Sequence, residues 1–383
     1  MHYLDANATE PLRPAARAAV LAALELIGNP SSVHGAGRAV RRVVEGARTS
    51  LAARFGGRAE DLVFTSGATE ANALAVHALG GALGGATGAA LGGAGDSAGR
   101  RVIVGATEHD AVRAAAPDAV VLPVDCEGVA DLDALAGLLR DGGPALVCLM
   151  LANNETGTLQ PIDQAAALCR RHGARLHVDA AQAAGRIPID LTTLGAHSLA
   201  LSSHKLGGPM GAGALLLAPE ASAITALIRG GGQERGRRGG TPPVPAIAGF
   251  AAAVAVDPPD PPALAAMRDT VERIALDAGA LVCGGAAPRL ANTTCLALPG
   301  VRADAQVIAL DLNGIAVSAG AACSSGKVTT SHVLAAMGLG ALAGQAIRVS
   351  LPWNATRADV AAFAAAYPRM AARLRAALAS RAA

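Results

Sequence analysis

Aromatic side chains are nearly missing from this chain: they make up 2% of its 383 residues, as one Trp, two Tyr and four Phe. Charge is sparse too, at 16%, against 52% hydrophobic residues. Large rings therefore do not build the interior, and Ala, Leu and Val must fill it with small aliphatic groups. The two signs of charge almost cancel, 32 Lys and Arg against 30 Asp and Glu, for a net of +2. That balance excludes a broad nucleic-acid footprint. The one basic concentration is Arg235, Arg237 and Arg238, in a Gly-rich setting interrupted by Glu234. Such a loop can meet a phosphate or another domain, or simply stay solvated.

Long apolar runs are also lacking, and a stretch such as Ala212 to Ala218 is far too short to span a membrane. The first residues, MHYLDANATEP, show no basic region followed by an apolar core and a cleavage site, so the sequence predicts a cytoplasmic protein. The six cysteines are Cys126, Cys148, Cys169, Cys283, Cys295 and Cys323. They include no CxxC pair and no dense disulfide pattern, and most read as buried thiols.

The length favours two structural units. From Pro14 to about Phe55 the pattern predicts helix, loop, helix, interrupted at Gly28, Asn29 and Pro30. Short apolar runs then predict strands at Leu62 to Thr65, Val102 to Val104, Val120 to Val124, Leu146 to Met150, Leu176 to Val178, Leu199 to Ser202 and Ala214 to Leu217. Ala-rich segments separate many of them, which predicts an α/β fold with a mostly parallel, helix-covered sheet. Residues between Gly80 and Gly99 read as a helix end plus surface loop. The run Asp257 to Pro262 is the best domain boundary. The carboxyl part then suits a smaller α/β domain, with helices at Leu264 to Leu276 and at Val360 to Leu378, the latter kinked or divided at Pro368. Its strands are expected at Thr294 to Leu298, Ala316 to Ser318 and Ile347 to Ser350.

Three strand ends draw attention to chemistry. Leu62 to Glu70 passes from an apolar strand through a small-residue turn into a helix near Ala68, where backbone N–H groups and Thr69 can hold a phosphate or merely cap the helix. Leu176-His177-Val178-Asp179 ends in an acid, followed by Gln182, and Leu199 to Lys205 ends in Ser202, His204 and Lys205 before a Gly-rich turn. A lysine forms an imine with an aldehyde cofactor, an Asp stabilises a protonated pyridine nitrogen, and Ser202 and His204 can hold phosphate.

These residues, read in order, resemble the NifS/IscS cysteine desulfurases, within the class-V aminotransferase family. The resemblance spans nearly the whole chain: Tyr3-Leu4-Asp5, Gly28-Asn29-Pro30-Ser31-Ser32 with His34, Thr65 to Glu70, Glu108-His109, Asn153-Asn154-Glu155 with Gly157, His177 to Ala180, Ser203-His204-Lys205, the Glu234 loop, and Ser318 to Gly326. It implies the type I fold of pyridoxal-phosphate-dependent transferases, with a seven-stranded, mostly parallel sheet in residues 16–256. Residues 257–383, with the segment 1–15, would form the smaller domain. It also implies a homodimer with shared active sites.

By that resemblance Lys205 holds pyridoxal 5′-phosphate, Asp179 pairs with its pyridine nitrogen, Gln182 meets its phenolic oxygen and His109 stacks on its ring. Thr69, Ser202 and His204 match phosphate contacts, and Thr241 matches one supplied by the other subunit. Arg348, with Asn154 as a further donor, would take the carboxylate of L-cysteine. Cys323 lies among Ser, Ala and Gly and matches the cysteine that attacks the substrate sulfur, leaving alanine and a persulfide. Lys205 and His109 are the candidates for proton transfer. A sulfur-acceptor or iron–sulfur scaffold protein would then collect the sulfur. No metal, direct nucleic-acid contact or membrane is expected.

The chain departs from the common family pattern at Gln233, where some members have His, and at Leu351-Pro352-Trp353-Asn354. Trp353 either narrows the site's mouth or packs between domains. Selenocysteine lyase is an alternative reading, because selenium is chemically close to sulfur. A noncatalytic assembly protein keeping the fold is another, opposed by the intact Lys205, Asp179, His109 and Cys323 set.

Overall fold

The motif Gly28 to His34 shows how the first two helices are set apart. Helix α1 (Pro14–Leu24) starts with Pro at its first turn, and α2 (Gly35–Arg54) is capped by His34, whose side chain accepts from Gly37 N–H. Between them Gly28 has φ +147, and a Cβ there would lie 2.8 Å from the Ala36 carbonyl carbon. Only Gly lets the loop fold onto the start of α2. This computed structural model describes residues 1–81, 100–140, 142–320 and 330–382. The expected loop after Gly81 and the Cys323 segment, residues 321–329, lie outside those residues.

Seven strands form the main sheet: β2 (Leu62–Thr65), β3 (Arg101–Gly105), β4 (Val120–Leu122), β5 (Ala145–Met150), β6 (Arg175–Asp179), β7 (Ser198–Ser202) and β8 (Gly213–Leu217). Their order is β2-β8-β7-β6-β5-β3-β4, with β8 antiparallel to both neighbours and the other pairings parallel. Each predicted strand of this region is present. Alternate residues serve opposite faces: Leu62 and Phe64 of β2, with Val147 and Leu149 of β5, join α2 residues such as Leu51 in one core. Val63, Leu215 and Leu217 pack with α3 (Ala68–Gly80) on the other. Both faces are covered, which explains the continuous apolar runs in the sequence.

A second core, of aliphatics with Phe363 and Tyr367, lies against an antiparallel sheet ordered β12-β13-β10-β9: β12 (Ser318–Ala319), β13 (Ala346–Ser350), β10 (Thr293–Ala297) and β9 (Leu281–Cys283). Helices α9 (Pro261–Asp277), α10 (Ala303–Asp311) and α12 (Arg357–Ala382) pack on it. The chain start joins this region, because β1 (His2–Tyr3) pairs in parallel with β11 (Ile315–Ala316), and Leu4 is fully buried in its core.

Two expectations are corrected or narrowed. The single strand over Ala316 to Ser318 is two short strands in different sheets, β11 and β12. Of the two readings of Pro368, division is excluded, because α12 runs on through it as one helix. The missing N–H costs one bond to Ala364, but Phe363 and Tyr367 before the proline, and Met370 and Ala371 after it, are all buried in one core. Most of the described cysteines are buried, as expected: Cys148, Cys169, Cys283 and Cys295, with Cys126 exposed in the turn after Asp125.

Candidate active site

The carboxyl ends of β5, β6 and β7, the turn after β2 and the loop after β3 open on one cavity of about 440 Å³. In parallel sheets this is where ligands bind. Its lining includes Thr69, His109, Asn154, Asp179, Gln182, Ser202, His204, Lys205 and Arg348, all expected from the sequence. Thr241 is exposed and does not line it. Cys323 lies outside the described residues.

Several of these side chains are oriented by neighbours. Asp179 Oδ2 accepts from Asn72 Nδ2 at 2.7 Å and Oδ1 from Ala181 N–H at 2.9 Å. Because Asn72 donates there, its Oδ1 must accept from His177 Nε2 at 2.9 Å. His177 Nδ1 then accepts from the Ser198 hydroxyl at 2.8 Å. Burial pushes His177 down to about 3, so the ring is neutral and the row is consistent from Ser198 to Asp179.

Gln182 is fixed in the same way. Its Oε1 accepts from Arg186 Nη1 at 2.7 Å, and its Nε2 donates to the Asn7 carbonyl at 2.9 Å, leaving one amide hydrogen for the cavity. Arg186 is in turn held by buried Glu10 at 3.2 Å. Lys205 Nζ donates to the carbonyls of Asn7 at 2.6 Å and Ala8 at 3.0 Å. Burial first, and then the Lys205 charge, pushes neighbouring His204 down to about 4, so it is neutral near pH 7. His109 caps the short helix α4 (Asp110–Arg113): its Nδ1 accepts from Ala111 N–H at 3.1 Å, which places the proton of the neutral ring on Nε2.

Arg348, in β13, reaches the cavity from the second sheet. Its Nη2 lies 2.6 Å from Asp5 Oδ1, its Nη1 donates to the Asn154 carbonyl at 3.1 Å, and its buried Nε has no hydrogen-bond partner among the described residues. The arginine thus both pairs with an acid and faces the cavity. At the turn after β2, the cap residue Gly67 offers α3 no side-chain bond, so the first N–H groups of that helix open toward the cavity beside Thr69. Gly213 makes room for this turn, since a Cβ on it would lie 2.5 Å from Gly67 Cα.

Sequence reading missed several supporting residues. Asn7 touches the site most often: besides receiving Lys205 and Gln182 at its carbonyl, its amide donates to the Asn154 carbonyl and to Thr293 Oγ1. Asn72, in an Ala-rich helix, was the readable signal, since a buried amide there must have partners. Glu108 is fully buried, with Oε1 accepting from Met150 N–H and Oε2 unpartnered among the described residues, and burial holds its carboxyl well above the usual range. Glu155 Oε2 accepts from Ser331 Oγ at 2.6 Å, and burial raises its pKa as well.

The arginine-rich loop is largely used within the chain, neither simply solvated nor in the cavity. Glu234 receives Arg48 through both oxygens, at 2.6 and 2.8 Å, and accepts from Phe64 N–H on the edge strand β2. Arg237 donates to the Glu60 carbonyl and Arg238 pairs with Glu70, which leaves Arg235 exposed. Trp353 packs on the chain start: its Nε1 donates to the Pro11 carbonyl and Arg13 lies over its ring at 5.2 Å.

A seven-stranded sheet of this order, with a lysine, an aspartate and a helix N-terminus gathered at its strand ends, defines the type I fold of pyridoxal-phosphate-dependent enzymes. The class-V aminotransferase family matches residues 2–363, and the chain belongs to it, among the NifS/IscS-like cysteine desulfurases. A cysteine desulfurase of Cereibacter sphaeroides is 40% identical over 94% of this chain and 92% of its own length. An IscS-like cysteine desulfurase of Mycobacterium tuberculosis is 37% identical over 98% and 97%. The solved NifS-like protein of Rickettsia africae is 32% identical, with a TM-score of 0.86 over 97% of this chain and 99% of that one.

Proposed function

We propose that this chain converts L-cysteine to L-alanine, takes the sulfur onto Cys323 as a persulfide and passes it to an acceptor protein, with pyridoxal 5′-phosphate as cofactor. The observation that carries the proposal is the convergence of Lys205, Asp179, Gln182 and Arg348 on one cavity. The cofactor fits the chemistry of the donor set: an amine for its aldehyde, an acid held by two N–H donors for its pyridine nitrogen, a spare amide hydrogen for its phenolic oxygen and an uncapped helix start for its phosphate. When bound, it supplies an electron-poor ring that stabilises the negative charge left by breaking a Cα–H bond.

The chain's own residues do the rest. Ser202, neutral His204 and Thr69 would complete the phosphate cradle, and His109 would stack on the ring. Arg348 and Asn154 would orient the substrate carboxylate, whose charge the arginine matches. Lys205 and His109 would move the substrate protons. The Cys323 thiolate then attacks the substrate sulfur: an S–S bond forms, the C–S bond breaks, and the carbon is protonated to give alanine. Residues 1–15 and 257–383 would act as the smaller domain that carries Arg348 over a large domain of residues 16–256.

The homodimer belongs to the same proposal. Thr241 is exposed and away from its own chain's cavity lining, as a residue serving a second copy must be. A cytoplasmic setting fits as well, and no helix among the described residues is long and apolar enough to cross a membrane. The decisive experiment supplies sulfur-labelled L-cysteine to the holoenzyme without an acceptor. Label on the Cys323 peptide with matching alanine supports the proposal; alanine without label on Cys323 rejects the persulfide route.

A further inference from the structure

Cys283 and Cys295 stand directly opposite each other on the antiparallel strands β9 and β10. Opposed residues of an antiparallel pair project to the same face, with Cα atoms roughly 4.5–5.5 Å apart, which is inside the span a disulfide bridges. Both thiols are buried, at 4% and 0% exposure. Cys148 and Cys169 are buried without a facing thiol in their strand pairing or helix. We propose that Cys283 and Cys295 form a reversible dithiol site, oxidised by hydroperoxides to an intrachain disulfide without rearrangement of the sheet.

The position of the pair gives each thiol a role. Strand β9 is the edge of its sheet, so Cys283 is the thiol nearer solvent, while Cys295 sits one strand inside; both pack in one cluster with Val333, Leu334 and Met337. The facing Cys295 thiol holds the proton affinity of edge-strand Cys283 down, whereas the facing Cys283 and burial push that of Cys295 up. Cys283 is therefore the attacking thiolate. It takes one oxygen from the peroxide as a sulfenic acid and releases water once the hydroxide is protonated. The Cys295 sulfur then displaces the second water, forming the S–S bond. In total, two thiols give up two electrons and two protons, and one hydrogen peroxide becomes two waters.

The pair also lies in one row with the site. In register across the sheet stand Ser318, Arg348, Cys295 and Cys283, so the dithiol begins one strand away from the cavity arginine and on the same sheet face. No such row exists for a merely structural thiol such as Cys169 on α6 (Ile162–Arg171).

The test uses folded, cofactor-loaded Cys323→Ala protein, which removes the thiol proposed for turnover and leaves five. It is treated with limiting hydrogen peroxide, alkylated under denaturing, non-reducing conditions and mapped by peptide mass spectrometry. The expected result is loss of two of the five thiols, a linked Cys283–Cys295 peptide lighter by two hydrogens, and full recovery of both thiols with dithiothreitol. Cys148 and Cys169 should remain alkylatable. Adding Cys283→Ser should abolish the link and return Cys295 as a free thiol. Protein unfolded in urea before oxidation should lose the preference for this pair. Complete alkylation of Cys283 and Cys295 in folded protein after the peroxide is consumed, or oxidation confined to exposed Cys126, overturns the proposal.

Discussion

Asn72 Nδ2 lies 2.7 Å from Asp179 Oδ2, so an amide carried by a helix on one face of the sheet fixes the carboxylate at the end of a central strand. The same amide accepts from His177, two residues before Asp179 on β6. A single side chain therefore satisfies two buried groups and sets their proton positions. Asn72→Leu keeps the volume and removes both bonds. A buried donor or acceptor left alone costs about 1–3 kcal/mol, so chemical denaturation should show a loss in that range. Pyridoxal-phosphate affinity should fall about tenfold, as about 1.4 kcal/mol of support for the Asp179 charge is lost. Unchanged affinity at reduced stability would show that Asn72 serves His177 alone.

His177 makes stability depend on acid. Its ordinary pKa near 6.5 is pushed down to about 3 in the folded chain by burial. Because the folded value is the lower one, the unfolded chain binds the proton first as pH falls. The stabilising contribution is complete above about pH 6.5 and is lost progressively toward pH 3. Between pH 7 and pH 5 this histidine alone should cost about 2 kcal/mol. Glu108 and Glu155, whose values are raised by burial, act with the opposite sign above the usual carboxylate range. Comparing urea unfolding of the parent with His177→Gln isolates the histidine: the difference in stability should shift by about 2 kcal/mol across that interval. A pH-independent difference would mean that His177 takes up its proton equally in the folded and the unfolded chain.

The seven-stranded sheet was readable because each strand is a short apolar run ended by a turn signal, and because burial on both faces removes the alternation that usually complicates such runs. Lys205, Asp179 and Arg348 were readable because each ends or occupies such a run. The supports were not. Asn7 acts mainly through its backbone carbonyl, which no side-chain pattern reports, and it comes within reach of Lys205 only because residue 5 bridges to Ser350 far along the chain. The strands β1 and β9, with two and three residues, are too short for a period to register. The arginine loop stayed open between contact and solvent, because the partners of Arg237 and Arg238, the Glu60 carbonyl and Glu70, come from distant sequence.

Arg348 predicts a kinetic split. Its guanidinium is already oriented by Asp5 and by the Asn154 carbonyl, two planar contacts that a lysine ammonium cannot reproduce together. In Arg348→Lys, loss of a charge-assisted fork should raise KM for L-cysteine about tenfold or more, with a smaller effect on kcat. Steady-state alanine production measures both. The lysine–cofactor adduct, trapped by borohydride on Lys205, should form normally. A fall in kcat at constant KM would instead assign Arg348 to the chemical step.

Glu155 touches residues on both sides of the segment that includes Cys323. Its Oε2 accepts from Ser331, and a Cβ placed on Gly320 would sit 2.3 Å from the same oxygen. Gly320 is therefore needed for contact with the carboxyl, whatever the segment between does. In Gly320→Ala the added methyl must push Glu155 aside and break its bond to Ser331. Cofactor binding at the proposed Lys205 site draws on other elements and should be unchanged, whereas the proposed labelled persulfide on Cys323 should form about tenfold more slowly, an effect of about 1.4 kcal/mol. Glu155→Ala removes the atom that the methyl meets. If the contact is the cause, adding Gly320→Ala to Glu155→Ala should do little further harm, so the two effects are strongly non-additive. Single-turnover persulfide formation in the four proteins measures the coupling. Simple additivity would show that Gly320 acts through its own backbone, and it would remove Glu155 from the positioning of the sulfur acceptor.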